Sequence, residues 1–299
     1  MRNLLLLFAV LLGFTACVKE IPLGSDIEVA PRPVFHFFMR PDSVLRADLG
    51  RVVSISDNAI YNDQAVISVY RNNQLQGDLL AQGNGRYVLV GNDFKPRDSI
   101  RIEATDGNYN FHIRGRMPSA IAIQKIDTQT LLVPGIGPAF NMDIRFTDSA
   151  VDDNYYRIYA LRFYYEYTLD ASQKRTDSTL LVRRMNIDGS ALPFIQNNFN
   201  NYTSSEILFT DATFNGTQPT FSVYTPENVH ETPNERTVKV ECVLENLEKP
   251  LYDFINTRNA HIWQQQSISQ LPGVVLGNVA GGYGVAAAYT QSRIQILFK

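Results

Sequence analysis

The chain has 299 residues, with 27 basic against 30 acidic side chains and a formal net charge of −3. It therefore has no basic stripe to collect phosphates, and nucleic acid is excluded as an expected partner. Aromatic residues make up 11%, with 17 Phe and 15 Tyr against a single Trp, a bias toward strands and toward surfaces that face carbohydrate or protein.

The first predicted element lies outside the fold. Arg2 followed by the apolar run Leu4 to Phe14 has the form of an export signal. A helix of that length reaches roughly 16 Å, about half the hydrocarbon thickness, and does not span a bilayer. Phe14-Thr15-Ala16-Cys17 resembles the lipobox read by lipoprotein signal peptidase. The resemblance implies that residues 1–16 are removed and that Cys17 becomes the first mature residue, carrying a thioether-linked diacylglyceryl group with fatty chains such as palmitate. Cys242 is then the remaining thiol, and no intramolecular disulfide can form. Residues 17–33, with Pro22 to Pro33 extended, are expected to act as a tether.

Residues 34–117 read as short strands with turn punctuation, an immunoglobulin-like β-sandwich without the cysteine and tryptophan signature of a true immunoglobulin domain. Ala65, Ile67 and Val69 alternate, Gly83-Asn84-Gly85 breaks the chain, and Tyr87 to Val90 resumes it. Ile100, Ile102 and Ala104 lead to Asp106-Gly107, and Tyr109, Phe111 and Ile113 follow, which predicts a hairpin with positive φ at both turn residues.

Residues 118–299 read as a larger β domain, sandwich or barrel-like, with one amphipathic helix. Tyr155 to Leu169 alternates strongly and is aromatic on both faces, so one face is expected in a core and the other under a loop or a partner. Further strands are predicted over Leu180 to Ile187, Glu206 to Thr210, Thr220 to Tyr224 and Arg236 to Leu244. In the last of these Val238, Val240, Cys242 and Leu244 share a face, which makes Cys242 a small buried hydrophobe rather than a nucleophile. Leu251, Phe254, Ile255, Arg258 and Ile262 have helical spacing over 249–266, with Pro250 tolerated in the first turn. Gly281-Gly282-Tyr283-Gly284 then leads into two strands, Val285 to Tyr289 and Ile294 to Phe298.

Several stretches together resemble a family of Bacteroidota lipoproteins of unknown function whose members are often encoded beside TonB-dependent outer-membrane receptors. The main carrier is Gly277-Asn278-Val279-Ala280-Gly281-Gly282-Tyr283-Gly284-Val285 with Ala288-Tyr289. Asn84-Gly85-Arg86-Tyr87, Thr105-Asp106-Gly107-Asn108-Tyr109, and Phe146-Thr147-Asp148 followed by Asp153-Asn154-Tyr155-Tyr156 support it. The resemblance implies an N-terminal sandwich, a larger C-terminal β domain and attachment to the outer membrane, and it implies no catalytic residues. Val18-Lys19-Glu20 looks like the signal that sends such lipoproteins to the cell exterior, with Ile21 in place of a second acid. Tripeptides at Asp42-Ser43-Val44, Asp98-Ser99-Ile100, Asp148-Ser149-Ala150 and Asp177-Ser178-Thr179 are similar to the O-glycosylation motif of that phylum. Ser43, Ser149 and Ser178 are the expected positions, since Ser99 opens a strand.

No motif for catalysis, metal or cofactor survives its context. His230-Glu231 begins like a zinc-protease motif, but Thr232-Pro233-Asn234 follows where a helix is needed. Asp148, Asp152 and Asp153 miss the calcium-loop spacing and read as a solvated acidic turn. Gly282-Tyr283-Gly284 has no βαβ unit after it to bind a dinucleotide, so its glycines are expected to permit tight backbone passage. The ligand-contact candidates are Phe194, Phe199, Asn200 and Tyr202, in the long connection from Asp188 to Ser204. Aromatic faces and amides there suit an oligosaccharide, a peptide or a barrel rim, and the alternative is a surface excursion packed by its own aromatics. The expected function is a lipid-anchored, surface-exposed, non-catalytic accessory of a TonB-dependent transport system. A structural or adhesive envelope protein without cargo is the alternative, and a hydrolase would need a site assembled only in the fold.

Overall fold

The structure, a computed structural model, describes residues 32–41, 43–52, 60–107, 109–135, 137–189, 205–227, 229–265 and 274–298. The signal segment, Cys17 and the loop candidates Phe194, Phe199, Asn200 and Tyr202 lie outside them. In chain order the strands of the first half are β1 (Pro33–Met39), β2 (Leu45–Arg51), β3 (Ile60–Tyr61), β4 (Val66–Arg71), β5 (Gln74–Asp78), β6 (Leu80–Gly83), β7 (Arg86–Leu89), β8 (Ser99–Thr105) and β9 (Asn110–Arg116). The second half has β10 (Ile123–Val133), β11 (Gly137–Phe146), β12 (Tyr155–Leu169), β13 (Arg175–Arg184), β14 (Ile207–Thr210), β15 (Thr220–Thr225) and β16 (Glu235–Leu247). Helix α1 (Lys249–Gln265) and β17 (Tyr283–Leu297) follow. The protein is mainly β, two sandwich-like layers of sheet with one described helix, as its alternating patterns predict.

A ten-stranded sheet runs β13-β12-β16-β17-β1-β2-β7-β6, with β14 beside β12 and β3 beside β2. A four-stranded sheet, β5-β4-β8-β9, covers one half of it, and a three-stranded sheet, β10-β11-β15, belongs to the other. Phe35, Phe37, Met39, Leu45 and Leu49 of the long sheet bury against Ile67, Val69, Ile102, Phe111 and Ile113 of the four-stranded one. Tyr156, Ile158, Ala160, Val240, Cys242 and Leu244 bury against Met142, Ile144, Phe146, Phe221 and Val223. Cys242 has the predicted role: it is buried, and burial pushes its thiol up to about 12.

β17 joins the two halves. Its first part pairs parallel with β1, Val34 opposite Tyr283 through Met39 opposite Ala288, and its second part pairs antiparallel with β16. The two strands expected at this end are thus one. Ala286 and Ala288 point into the first core, whereas Val285 and Ala287, on the opposite face, lie under α1 with Leu251, Tyr252 and Ile255. The Asp106 turn also differs from expectation. Thr105 pairs with Asn110, so the loop has four residues, and Asp106 caps it by accepting the Tyr109 N–H at 2.8 Å.

Glu248, just before α1, sends its carboxylate between β9 and β17, where it accepts the Arg116 N–H at 3.1 Å and the Ala288 N–H at 3.0 Å. Phe37, Met39, Ile102 and Ile113 surround it, and burial pushes its pKa from 4.5 up to about 7. A carboxyl raised in this way stabilises the fold fully below pH 4.5, and that contribution is lost as pH rises through 7. Stability is expected to fall by about 3 kcal/mol across this window. Glu248→Gln should remove that slope in urea titrations at pH 4.5, 6 and 8; an unchanged slope would assign it to other groups.

Candidate functional site

The outward face of β1, β2, β3 and β7, beside α1, carries an open cleft of about 680 Å³ lined by Val34, His36, Asp48, Gly50, Tyr61 and Arg86 among others. Two rows of side chains cross the strands. In one, Val285, His36, Asp48 and Arg86 stand in register on β17, β1, β2 and β7. In the next, Tyr283, Val34, Gly50 and Tyr61 do the same on β17, β1, β2 and β3. Gly50 leaves the floor low because it has no side chain, and an added Cβ would press on the Ile60 carbonyl at 3.1 Å.

The alternation that buries Phe35 and Phe37 turns His36 outward, where the Phe254 ring of α1 packs edge-on at 5.6 Å. Burial lowers the His36 pKa against the opposing pull of Asp48, which keeps the imidazole neutral, with one donor and one acceptor, near pH 7. Asp48 and Arg86 face each other across adjacent strands, yet neither makes a hydrogen bond or ion pair among the described residues. Tyr61 and Tyr283, 57% and 50% exposed, stand at the two ends of the second row.

A second open surface lies on the later half of β12 and on β13. Phe163, Tyr165 and Tyr167 of β12 share an outward face with Val182, Leu180 and Ser178, their register partners on the edge strand β13. Leu180 and Val182 are each 53% exposed. Cations border this face: the Lys239 ammonium stands 4.1 Å over the Phe163 ring and the Arg175 guanidinium 4.0 Å over Tyr167. Nearer α1 the same sheet face is closed by charge. Glu206, buried, accepts from Arg184 at 3.0 Å, Arg258 at 3.4 Å and Asn259 at 3.0 Å, and Glu245 accepts from the Arg157 Nε at 2.7 Å. The aromatic outer face of β12 is therefore half under the helix, Tyr155 against Tyr252, and half open.

Of the serines expected to carry glycans, Ser178 is exposed on β13, Ser149 is half-buried, and half-buried Ser43 donates its hydroxyl to the Arg40 carbonyl at 2.8 Å. The acidic turn needs correction, because Asp148 is buried rather than solvated. It accepts the Tyr156 hydroxyl, the Gly216 N–H at 2.6 Å and the Asn154 amide at 3.3 Å. Among the described residues no group of three His, Cys, Asp or Glu is placed to hold a metal ion, and no helix is long and apolar enough to cross a membrane.

A family model described as a domain of unknown function, DUF4249, matches residues 38–295. The chain belongs to the DUF4249 family. No curated protein matches it. Among solved structures it is similar to a candidate membrane-anchored protein from Corynebacterium diphtheriae at 8% identity and a TM-score of 0.20. That comparison covers 88% of this chain and 59% of the other, so the DUF4249 chain spans less than two thirds of that protein's length. A superposition so loose transfers neither fold nor function.

The stretches that carried the family resemblance serve as scaffold in this DUF4249 chain. Asn84 and Gly85 form the β6–β7 turn with φ of 56° and 70°, and the Tyr87 hydroxyl donates to the Asn62 carbonyl at 2.6 Å. Asn278 pairs through its side-chain amide with both the N–H and the carbonyl of Ala286, at 2.9 and 2.7 Å, like an added strand residue. The cleft residues were missed because their proximity arises only from register. The available signal was the alternation Arg46, Asp48, Gly50 between Leu45, Ala47 and Leu49.

Proposed function

We propose that this chain is a lipid-anchored, non-catalytic binding component of the outer membrane, facing the cell exterior and working beside a TonB-dependent β-barrel receptor. The single observation that carries the partner half of this reading is the open aromatic and aliphatic face of β12 and β13. Large exposed apolar patches on water-facing proteins mark contact surfaces, and Arg175 and Lys239, paired with Glu231 and Glu241, border this one as a polar rim. The lipobox-like Cys17 supports the anchor. Two or more acyl chains hold stably where one is marginal, and tethering raises the local concentration of a weak partner.

The test is mild-detergent extraction from native membranes followed by mass spectrometry of what co-purifies. A β-barrel receptor is expected in the eluate, and Leu180→Asp with Val182→Asp should reduce its recovery roughly tenfold while leaving the lipoprotein folded. Cys17→Ala should move the protein to the aqueous phase on detergent partition. Recovery of the lipoprotein alone would favour the structural or adhesive reading, and an unaltered partition of the Cys17 variant would remove the anchor.

A further inference from the structure

We propose that the cleft over β1, β2, β3 and β7 binds a neutral oligosaccharide, a sugar ring stacked on Tyr61 and its hydroxyls bridging Asp48 and Arg86. The inference names a ligand class for the binding role proposed above and rests on that reading only for its biological setting.

Charge comes first. Asp48 repels an anionic ligand and Arg86 a cationic one, while His36, held neutral, adds a donor and an acceptor but no net charge. Arg51 at the rim is already engaged, its Nη2 3.2 Å from Asp106. A surface with both signs and little net charge suits a neutral ligand rich in donors and acceptors. Geometry follows. The side chains of Asp48 and Arg86 project from directly opposed positions, which places them roughly 5 Å apart at Cβ, and they do not pair. Adjacent hydroxyls on a pyranose fill such a gap, one donating to the carboxylate and one accepting from the guanidinium, so that groups unsatisfied by each other are satisfied by the ligand.

Shape points the same way. The Tyr61 ring at one end of the Val34–Gly50 floor offers a π-face to the C–H face of a sugar, and Gly50 keeps the space beside it free. At about 680 Å³ and open to solvent, the cleft exceeds what one amino acid or the end of a peptide fills, and it lets a chain of sugars run out.

The experiment uses the full-length lipoprotein in an amine-oxide detergent, which has no sugar headgroup to compete. Hexasaccharides of α-1,4-glucose, β-1,4-glucose, β-1,4-mannose, β-1,4-xylose and β-1,4-N-acetylglucosamine are titrated calorimetrically and by saturation-transfer NMR, with trialanine as the peptide probe. At least one hexasaccharide should saturate, and Tyr61→Ala and Asp48→Asn should each weaken it roughly tenfold or more. Leu132→Ala, an exposed residue of β10 outside both surfaces, should leave that affinity unchanged. The proposal is overturned if no hexasaccharide saturates at 10 mM, if trialanine binds in their place, or if Leu132→Ala weakens binding as much as Tyr61→Ala. Co-purification with a receptor is a separate readout, so either result can fail while the other stands.

Discussion

Gly284→Ala is expected to destabilise the protein by more than about 4 kcal/mol, among the largest effects of any single methyl group in the chain. Gly284 has φ of +104°, a conformation in which a side chain is strained, and a Cβ there would lie 2.1 Å from the Phe35 carbonyl oxygen. That oxygen belongs to β1, the parallel partner of β17, so relief requires the two strands to part. The crossing is tight on its other side as well, because a Cβ on Gly277 would meet the Gly284 carbonyl at 2.1 Å. Parting the strands withdraws Ala286 and Ala288 from the first core and uncovers Phe35 and Phe37. Thermal denaturation followed by circular dichroism should show the midpoint lowered by roughly 10 °C or more. A shift within about 2 °C would mean that the backbone at this crossing yields easily.

The second large effect is expected at Asn154, 2% exposed at the centre of a polar knot. Its amide nitrogen stands within hydrogen-bonding range of the Asp152 carbonyl at 2.7 Å, the Ser149 carbonyl at 2.9 Å and the Asp211 carboxylate at 3.0 Å. Its amide oxygen accepts from the Asn246 side chain at 2.8 Å, and Asn246 and Thr290 both donate to the Ser119 carbonyl. Asn154→Ala leaves a buried carboxylate and a buried amide short of partners, which costs about 3 to 5 kcal/mol. Asn154→Asp should be worse despite its near-identical shape, because it places a third carboxylate beside Asp148 and Asp211, and burial, with a smaller push from Asp148, already raises the Asp211 pKa. Chemical denaturation of the two variants decides this, and an Asp variant as stable as the parent would show that the knot admits water or a counter-ion.

Much of the fold is legible in the sequence where the signal is local. The alternation from Tyr155 to Leu169 has the bounds of β12, the spacing of Leu251, Ile255 and Arg258 finds α1, and Asn84-Gly85 marks its hairpin, because each rests on neighbours within a few residues. What the sequence hides is non-local. The parallel pairing of β1 with β17 joins residues some 250 apart in the chain and leaves no periodic trace in either strand. Asp148 reads as solvated because the groups that bury it, Tyr156 and Gly216, reveal themselves only on folding, as do Asp211 and Asn246 around Asn154. The cleft is hidden for the same reason: His36, Asp48, Tyr61 and Arg86 are unremarkable in their own strands and become a site only as rows across the sheet.

The family motifs sharpen that contrast. Asn154, Asn278 and Gly284 hold backbone crossings and turns together, whereas Arg86, in the same set of stretches, faces the cleft beside Asp48 and Tyr61, which lie outside them.

The position of β17 also dictates when the molecule can become itself. Its residues complete the amino-terminal core and lie beside α1, yet they follow β1 in the chain by some 250 residues. Until β17 pairs, the β1 edge stays vacant and the amino-terminal core lacks part of its wall. Closure of the amino-terminal half therefore waits on a stretch of its own polypeptide some 250 residues away.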